Sequence, residues 1–363
     1  MAGDARVQQY ARLLVERSLG VQPRWQVVVG AGVEARPLVE EVERQIARAG
    51  AWPILQLVFG SAGGAWAREA PAELIAEPPP IAATIQSTGD AFLAIVAPTN
   101  TREASDLDPA RRGALQAAGT RLRDRLTAMT VPWVVCQWPT HALAQDAGMT
   151  LAQFEEFLFG ACLLDWDAEA ERMRRIADVL DDAAEVRIVA GGTDLTLSLK
   201  GRTCAIDDAH INMPGGEVFC SPVEDATEGV VHFAEFPAMH FGQQVEGIRL
   251  RFAGGRVVDA SADVNEDVLI SALDTDDGAR VLGELGIGCN PGITRHLRNT
   301  LFDEKIAGTV HLALGASYTV TGGVNESVIH WDIVKDLRRG GELYVNGRPA
   351  QRDGEWLATA VHA

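Results

Sequence analysis

The first half of the chain alternates short apolar runs with amphipathic stretches. Apolar side chains recur at helical spacing between Val7 and Leu19, and Gly20 predicts the end of that helix. Four apolar runs predict strands, and they are residues 25–29, 54–59, 91–97 and 131–137. The amphipathic stretches at residues 37–49 and 112–129 predict helices. Strands that alternate with helices in this way predict a doubly wound, parallel α/β sheet.

The pattern of the second half is different. Helices are predicted at residues 150–164 and 165–180. Beyond them, alternating apolar and polar residues predict strands and two hairpins, one of which turns at Asn346-Gly347. We therefore expect an N-terminal α/β domain in residues 1–165. An α+β domain with mixed and antiparallel strands is expected in residues 166–363.

Composition and charge limit the partners. The chain has 363 residues, of which 47% are hydrophobic and 23% charged, as in a globular protein. Its net charge of -18 argues against nucleic acid or an anionic membrane surface as a partner, because both would repel it. No run of about 18 apolar residues predicts a membrane-spanning helix. The N-terminus lacks the pattern of a signal peptide, so we expect a cytoplasmic protein.

Several common site chemistries lack their motifs in this sequence. Neither the phosphate-binding G-x-x-x-x-G-K-[ST] loop nor the G-x-S-x-G elbow of serine hydrolases occurs. The five cysteines are scattered, odd in number and without a CxxC pair. The sequence therefore predicts neither a disulfide framework nor a thiolate zinc site, and a reducing compartment fits this pattern.

Histidines and carboxylates stand among glycines and apolar residues in the second half. The run Val328–Val334, VIHWDIV, predicts a strand whose period of 2 places His330 and Asp332 on one face. Such a pair is either the edge of a metal site or a hydrogen-bonded pair. His311 leads another apolar strand, HLALG, in which a lone histidine is more often a core residue.

Four further side chains have an ordinary structural interpretation when each is taken alone. Glu217 follows a Pro-Gly-Gly turn, where a carboxylate is usually solvated. Glu284 is predicted to lie on the exposed face of a helix. Glu304 stands in a charged trio with its neighbours, which is typical of a solvated surface. Tyr318 is explained by ring packing with its hydroxyl hydrogen-bonded.

Together these side chains favour a metal site. Two histidines and four carboxylates supply the nitrogen and oxygen ligands that divalent metals accept, and no cysteine is needed. The four carboxylates carry four negative charges, which two divalent ions balance. A single-iron facial triad needs only two histidines and one carboxylate. The set therefore favours two-metal hydrolysis.

At these residues the sequence resembles the M29 family of metallo-aminopeptidases, the aminopeptidase T and aminopeptidase S group. The segments that carry the resemblance are NMPGGEVF, LGELGIGCNPGI, LFDEKIAGTVHLALGASY, ESVIHWDIVKDLR and GELYVNG. The similarity spans nearly the whole chain. It implies an N-terminal α/β domain, a C-terminal catalytic domain that holds two metals, and a homodimer.

The resemblance also implies residue roles. Six residues are expected as metal ligands, and they are Glu217, Glu284, Glu304, His311, His330 and Asp332. Glu284 and Tyr318 are expected to be catalytic, with Glu284 between the metals or beside the attacking water and Tyr318 as hydrogen-bond donor to the oxyanion. The expected cofactors are two divalent ions, zinc, cobalt or manganese. The expected substrate is a peptide that loses its N-terminal residue.

Two alternatives stay open at this point. Ring-cleaving non-haem iron dioxygenases that act on dihydroxypyridines resemble this family in fold, although the surplus of carboxylates argues against one iron. A non-catalytic descendant that binds peptides or metal is the second alternative, and the full ligand set argues against it.

Overall fold

The computed structural model describes residues 4–59, 64–103, 107–119, 122, 125–126 and 128–361. The chain forms two compact units. One consists of Met1–Leu163 with Ala209–Pro214, and the other of Leu164–Asp208 with Gly215–Ala363. Among the described residues, no helix is both long and apolar enough to span a membrane.

The first unit contains a five-stranded sheet. Numbered along the chain, its strands are β1 Gln26–Gly32, β2 Trp52–Val58, β3 Ala91–Val96, β4 Trp133–Gln137 and β8 Asn212–Met213. They lie in the order β2-β1-β3-β4-β8, and each neighbouring pair is parallel. The four strands predicted from apolar runs are present, which confirms the parallel α/β sheet.

Helices precede β1 and occupy the segments between these strands. They are Ala5–Arg12 with a π-helical continuation Leu13–Ser18, the 3-10 turn Val33–Ala35, Arg36–Arg48, Gly64–Glu69, Ala72–Ile75, Pro80–Thr88, Pro109–Ala118, His141–Asp146 and Leu151–Cys162. The last begins with the capping box of Thr150 and Gln153, which satisfies free backbone N–H groups. The helix predicted at residues 112–129 is described as Pro109–Ala118. Residues 120, 121, 123, 124 and 127 lie outside the described residues.

The second unit begins with the helix Trp166–Leu180 and contains a large antiparallel sheet. Its strands are β5 Val186–Ala190, β6 Thr193–Leu197, β10 Glu228–Phe233, β13 Ile248–Ala253, β14 Arg256–Ser261, β18 Glu342–Val345, β19 Arg348–Arg352 and β20 Glu355–Trp356. They lie in the order β14-β13-β10-β6-β5-β18-β19-β20. Both predicted hairpins are present. Asn346 and Gly347 have φ values of 50° and 74° at the turn between β18 and β19, as a tight hairpin requires.

A five-stranded antiparallel sheet in the same unit carries five of the six expected metal ligands. Its strands are β7 Ala205–Asp207, β9 Glu217–Cys220, β15 Leu282–Gly288, β16 Thr309–Gly315 and β17 His330–Asp336, in the order β17-β16-β15-β9-β7. The unit is completed by the strand pair β11 Ala238–His240 and β12 Gln243–Val245, the helices Glu266–Leu273, Thr300–Asp303 and Ala358–Val361, and the 3-10 turn Thr319–Thr321.

The helix predicted around Glu284 is wrong. Glu284 lies in β15, every residue of which is buried. β15 runs between β9 and β16, and the residues on both of its faces are buried. A strand buried on both faces shows no alternation of polar and apolar residues, so its sequence, LGELGIG, is not distinguishable from a buried helix by periodicity.

One disulfide bond corrects the expectation drawn from the cysteines. Ala205 of β7 lies opposite Phe219 of β9, so Cys204 and Cys220 are the next pair in register, with Cα atoms 4.5 Å apart and a bond between their sulfurs. Their separation of 16 residues in sequence gives no sign of this pairing. Strand register brings the two thiols together. Cys136, Cys162 and Cys289 are buried and outside this disulfide bond.

Candidate metal centre

Strand register gathers five of the predicted ligands on one face of the five-stranded sheet. Residues that lie opposite each other in antiparallel strands point to the same face. The register pairs are Glu284 with Ala313, Ala313 with Asp332, Gly315 with His330, Gly286 with His311, and Gly288 with Glu217. Each polar side chain is thus next to glycine or alanine. The small residues of these segments leave room for a polar cluster on an otherwise packed sheet.

Two groups of three ligand atoms result. Among the described residues, the donor atoms of Glu217, Glu284 and His311 lie within 4.8 Å of one another, and so do those of Glu284, His330 and Asp332. Glu284 belongs to both groups. Its Oε1 lies 2.8 Å from Nε2 of His311, and its Oε2 lies 3.5 Å from Nε2 of His330. We call these groups the Glu217 triad and the Asp332 triad.

Both histidines are held so that Nε2 faces the carboxylates. Nδ1 of His311 lies 2.9 Å from the backbone carbonyl oxygen of Glu304, and Nδ1 of His330 lies 2.8 Å from that of Ala316. A carbonyl only accepts, so each Nδ1–H is the donor, and Nε2 is the nitrogen that can bind a metal once the ring is neutral. Metal-binding histidines are commonly oriented in this way.

Buried charges shift the pKa values of the histidines. Burial alone would lower the pKa of His311, but its hydrogen bond to Glu284 and the charge of Glu217 raise that pKa to about 10. Burial would also lower the pKa of His330, and the adjacent Asp332 raises it to about 10. In the metal-free protein at neutral pH, both imidazoles are therefore cationic, with a proton on each ring nitrogen. Positive charge nearby stabilises the ionised carboxylates, and bound metal ions would supply that charge in place of the protons.

Access to the centre is uneven. The side chain of His311 is 1% exposed and that of Glu284 is 5% exposed, whereas that of His330 is 26% exposed. The His330 side is therefore the accessible side of the centre. Because Glu284 is buried, its pKa is raised above its usual range.

Tyr318 lies on this more accessible side. Its ring packs edge-on against His330 and Phe219, with centroid distances of 5.2 and 5.3 Å. Burial, with the nearby charges of Glu284 and Asp332, raises the pKa of its phenol well above 10. The hydroxyl therefore stays protonated at neutral pH and can donate a hydrogen bond.

The charged trio around Glu304 is not a solvated surface, which corrects that interpretation. Asp303, Glu304 and Lys305 are all buried. The carboxylate of Asp303 accepts hydrogen bonds from the backbone N–H groups of Leu297 and Asn299, both at 2.6 Å. Charged residues are buried when backbone donors or counter-ions satisfy them, and the sequence does not show those partners.

Glu304 lies beside the centre but outside both triads. Its carboxylate forms an ion pair with Lys305, whose Nζ also lies 3.2 Å from Oε1 of Glu217. Sequence reasoning missed Lys305. The available signal was its position directly after a predicted ligand, although a lysine there is ordinarily a surface residue.

Solved structures of similar fold include an enzyme of the expected family. Wild-type AmpT from Thermus thermophilus matches with a TM-score of 0.83 and 26% sequence identity, over 97% of this chain and 99% of that chain. The 2,5-dihydroxypyridine dioxygenase from Pseudomonas putida KT2440 matches with a TM-score of 0.60 and 14% identity, over 97% of each chain. The likeness to the dioxygenase shows the fold alone.

Sequence comparison agrees with the first of these structures. Aminopeptidase 2 of Geobacillus stearothermophilus is 30% identical over 97% of this chain and 98% of its own length. Aminopeptidase AmpS of Bacillus subtilis (strain 168) is 28% identical over 96% of this chain and 97% of its own length. The profile of the family described as thermophilic metalloprotease (M29) matches residues 3–356, which confirms the resemblance seen in the motifs. The chain therefore belongs to the M29 family of thermophilic metalloproteases, whose members are metal-dependent aminopeptidases.

Proposed function

We propose that this member of the family removes the N-terminal residue of peptides at a site for two divalent metal ions. The observation that carries the proposal is the position of Glu284, which belongs to both the Glu217 triad and the Asp332 triad. A carboxylate whose two oxygens face different histidines is suited to serve two ions at once. The proposal includes the number of ions, which is two, and their identity as zinc, cobalt or manganese.

The donor set fits such ions. Carboxylate oxygens and imidazole nitrogens are ordinary ligands of zinc, cobalt and manganese. When bound, the ions would polarise the scissile carbonyl and lower the pKa of a bridging water toward neutrality. We propose residues 166–363 as the catalytic domain. The carboxylate of the sixth expected ligand, Glu304, is occupied by Lys305, so its role as a ligand stays a prediction.

The protein's own groups would do the rest. Tyr318 would donate a hydrogen bond to the oxygen that becomes negative as the peptide carbonyl is attacked. Its raised pKa supports this role, because the phenol keeps its proton. Glu284 would lie beside the attacking water. A carboxylate of the site would pair with the α-ammonium of the substrate, which accounts for removal of the first residue only.

Metal depletion and reloading test the proposal. The purified protein is stripped with a chelator and reloaded with zinc, cobalt or manganese. Metal content and hydrolysis of a panel of aminoacyl-p-nitroanilides are then measured on the same sample. We expect two equivalents of metal with activity restored, and no cleavage of N-acetylated peptides. A fully loaded protein with one equivalent would contradict the two-metal site.

The same samples address the alternatives. Bound iron together with oxygen consumption on a dihydroxypyridine would indicate a ring-cleaving dioxygenase. A protein that binds two metals and peptides but cleaves none of the panel would be a binding protein without turnover. Either outcome would contradict the proposed aminopeptidase.

We further propose that the protein is a cytoplasmic homodimer with peptides as its substrates and with neither nucleic acid nor membrane as a partner. The support for the dimer is the family resemblance, and the net charge of -18 supports the exclusion of anionic partners. Light scattering of the purified protein tests the dimer, and a monomer would contradict it.

A further inference from the structure

A wholly buried lysine lies at the proposed metal centre. The side chain of Lys305 is 0% exposed, and its Nζ contacts Glu217 and Glu304. Burial alone would lower its pKa, but the charges of Glu217, Glu304 and Asp207 hold that pKa above its ordinary range. Lys305 therefore remains a cation. None of the roles proposed above uses it.

The two oxygens of Glu217 face different cations. Oε1 lies 3.2 Å from Nζ of Lys305, and Oε2 lies 3.3 Å from Nε2 of His311. Oε2 is therefore the oxygen that faces the other members of the triad, His311 and Glu284. An ammonium that holds one oxygen of a carboxylate leaves the other to bind a metal alone, and such outer partners orient ligands in many metal sites.

We propose that Lys305 is a positioning residue of the metal centre. Its ammonium holds Oε1 of Glu217, so that Oε2 alone is turned toward the metal. The inference rests on the proposed metal site. With the buried carboxylate of Asp207 counted as well, Lys305, five carboxylates and two divalent ions sum to zero charge.

A second buried lysine shows what a purely structural role looks like. Lys335 is also 0% exposed, but Nζ donates to Glu235 and to the backbone carbonyls of His232 and Gly191. None of these partners is a proposed metal ligand. Lys335→Met thus removes a buried ammonium of the same kind from elsewhere in the same unit, and it serves as the matched control.

The test compares metal-free and cobalt-loaded protein, without reference to activity. In Lys305→Met, both oxygens of Glu217 are free to bind metal. The visible absorption bands of bound Co²⁺, which report its coordination geometry, should therefore shift in position and intensity. The rise in Tm on metal loading should exceed that of the wild type by roughly 10 °C, because metal replaces the lost counter-ion.

Lys335→Met should lower the Tm of metal-free and loaded protein equally and leave the cobalt spectrum unchanged. If Lys305→Met does not fold, Lys305→Gln places a neutral amide at the same position and still removes the ammonium from Oε1 of Glu217. Its cobalt spectrum should also differ from that of the wild type.

The outcomes separate this inference from the proposed function. A wild-type protein that binds no metal would overturn both. A wild-type protein that binds metal, together with Lys305 variants that show its cobalt spectrum and its rise in Tm, would overturn the inference alone.

Discussion

Gly286 and His311 are partners in register, and the imidazole of His311 lies against the backbone of Gly286. A Cβ atom at position 286 would lie 1.9 Å from Nε2 of His311. No side chain fits there without displacing the ring. The glycine at this position of β15 is therefore required by the metal centre.

Gly286→Ala should weaken metal binding and the fold together. The added methyl group pushes His311 away from Glu217 and Glu284, and overpacking of this kind costs about 1–3 kcal/mol. Metal content after dialysis and urea unfolding measure the two effects. Gly191→Ala is the control, since a Cβ atom there meets nothing within 4 Å. Full metal occupancy in Gly286→Ala would contradict this account of the site.

Glu284→Gln should keep the fold and lose most turnover. The substitution preserves the shape of the side chain but removes the charge shared by both triads. We expect kcat to fall by about 10²–10⁴-fold, the range for loss of a positioned acid or base. Steady-state kinetics on samples of known metal content measure the effect. A metal-replete variant with the wild-type kcat would exclude this role of Glu284.

Tyr318→Phe should retain both metals and lose activity by about 10²–10³-fold, the range for removal of one oxyanion donor. The ring contacts with His330 and Phe219 persist in the variant, because phenylalanine lacks only the hydroxyl. Unchanged kcat/KM would show that the hydroxyl takes no part. Loss of a metal ion would instead make Tyr318 a ligand.

Metal affinity should rise with pH. The pKa values of His311 and His330 are raised from 6.5 to about 10 in the metal-free protein. Both rings are therefore protonated at neutral pH and must release a proton to bind metal. Affinity should increase from pH 7 toward pH 10, with proton release visible by calorimetry in buffers of different ionisation enthalpy. An affinity that is independent of pH between 7 and 9 would contradict the protonated histidines.

The disulfide should stabilise the protein by about 3 kcal/mol, as expected for a closed loop of this length. Cys204→Ser should therefore lower Tm under non-reducing conditions. Addition of a dithiol reductant should lower the Tm of the wild type and leave that of Cys204→Ser unchanged. A wild-type Tm that does not respond to the reductant after full reduction would show that the bond contributes nothing.

Most of the first unit is predictable from the sequence, because the hydrophobic pattern within each segment indicates its secondary structure. Apolar runs and amphipathic stretches correspond to the strands and helices that the structure contains, and Gly20 follows the first helical segment as predicted. β8 escaped prediction, because its two residues, Asn212–Met213, join the sheet only through pairing with β4. So short a strand carries no periodic signal of its own.

The site was predictable in composition but not in arrangement. The strand containing His330 and Asp332 has a visible period of 2, so their common face followed from the sequence. The segment around Glu284 predicts a helix instead of a strand, because β15 is buried on both faces and lacks that period. The role of Lys305 was hidden for a similar reason, since its counter-ions come from a distant segment and from the residue beside it.

The motifs of the sequence limit the chemistry of this protein, because they supply the carboxylates, imidazoles and phenol of a metallo-aminopeptidase and the small residues that leave room for them. How these groups meet depends on tertiary contacts. The register of β15, β16 and β17 places Glu284 between two histidines, and that of β7 and β9 pairs Cys204 with Cys220. The segment after the helix Thr300–Asp303 brings Lys305 to one oxygen of Glu217. The physical reason is that register depends on hydrogen bonds between segments far apart in sequence, and local periodicity does not encode those partners.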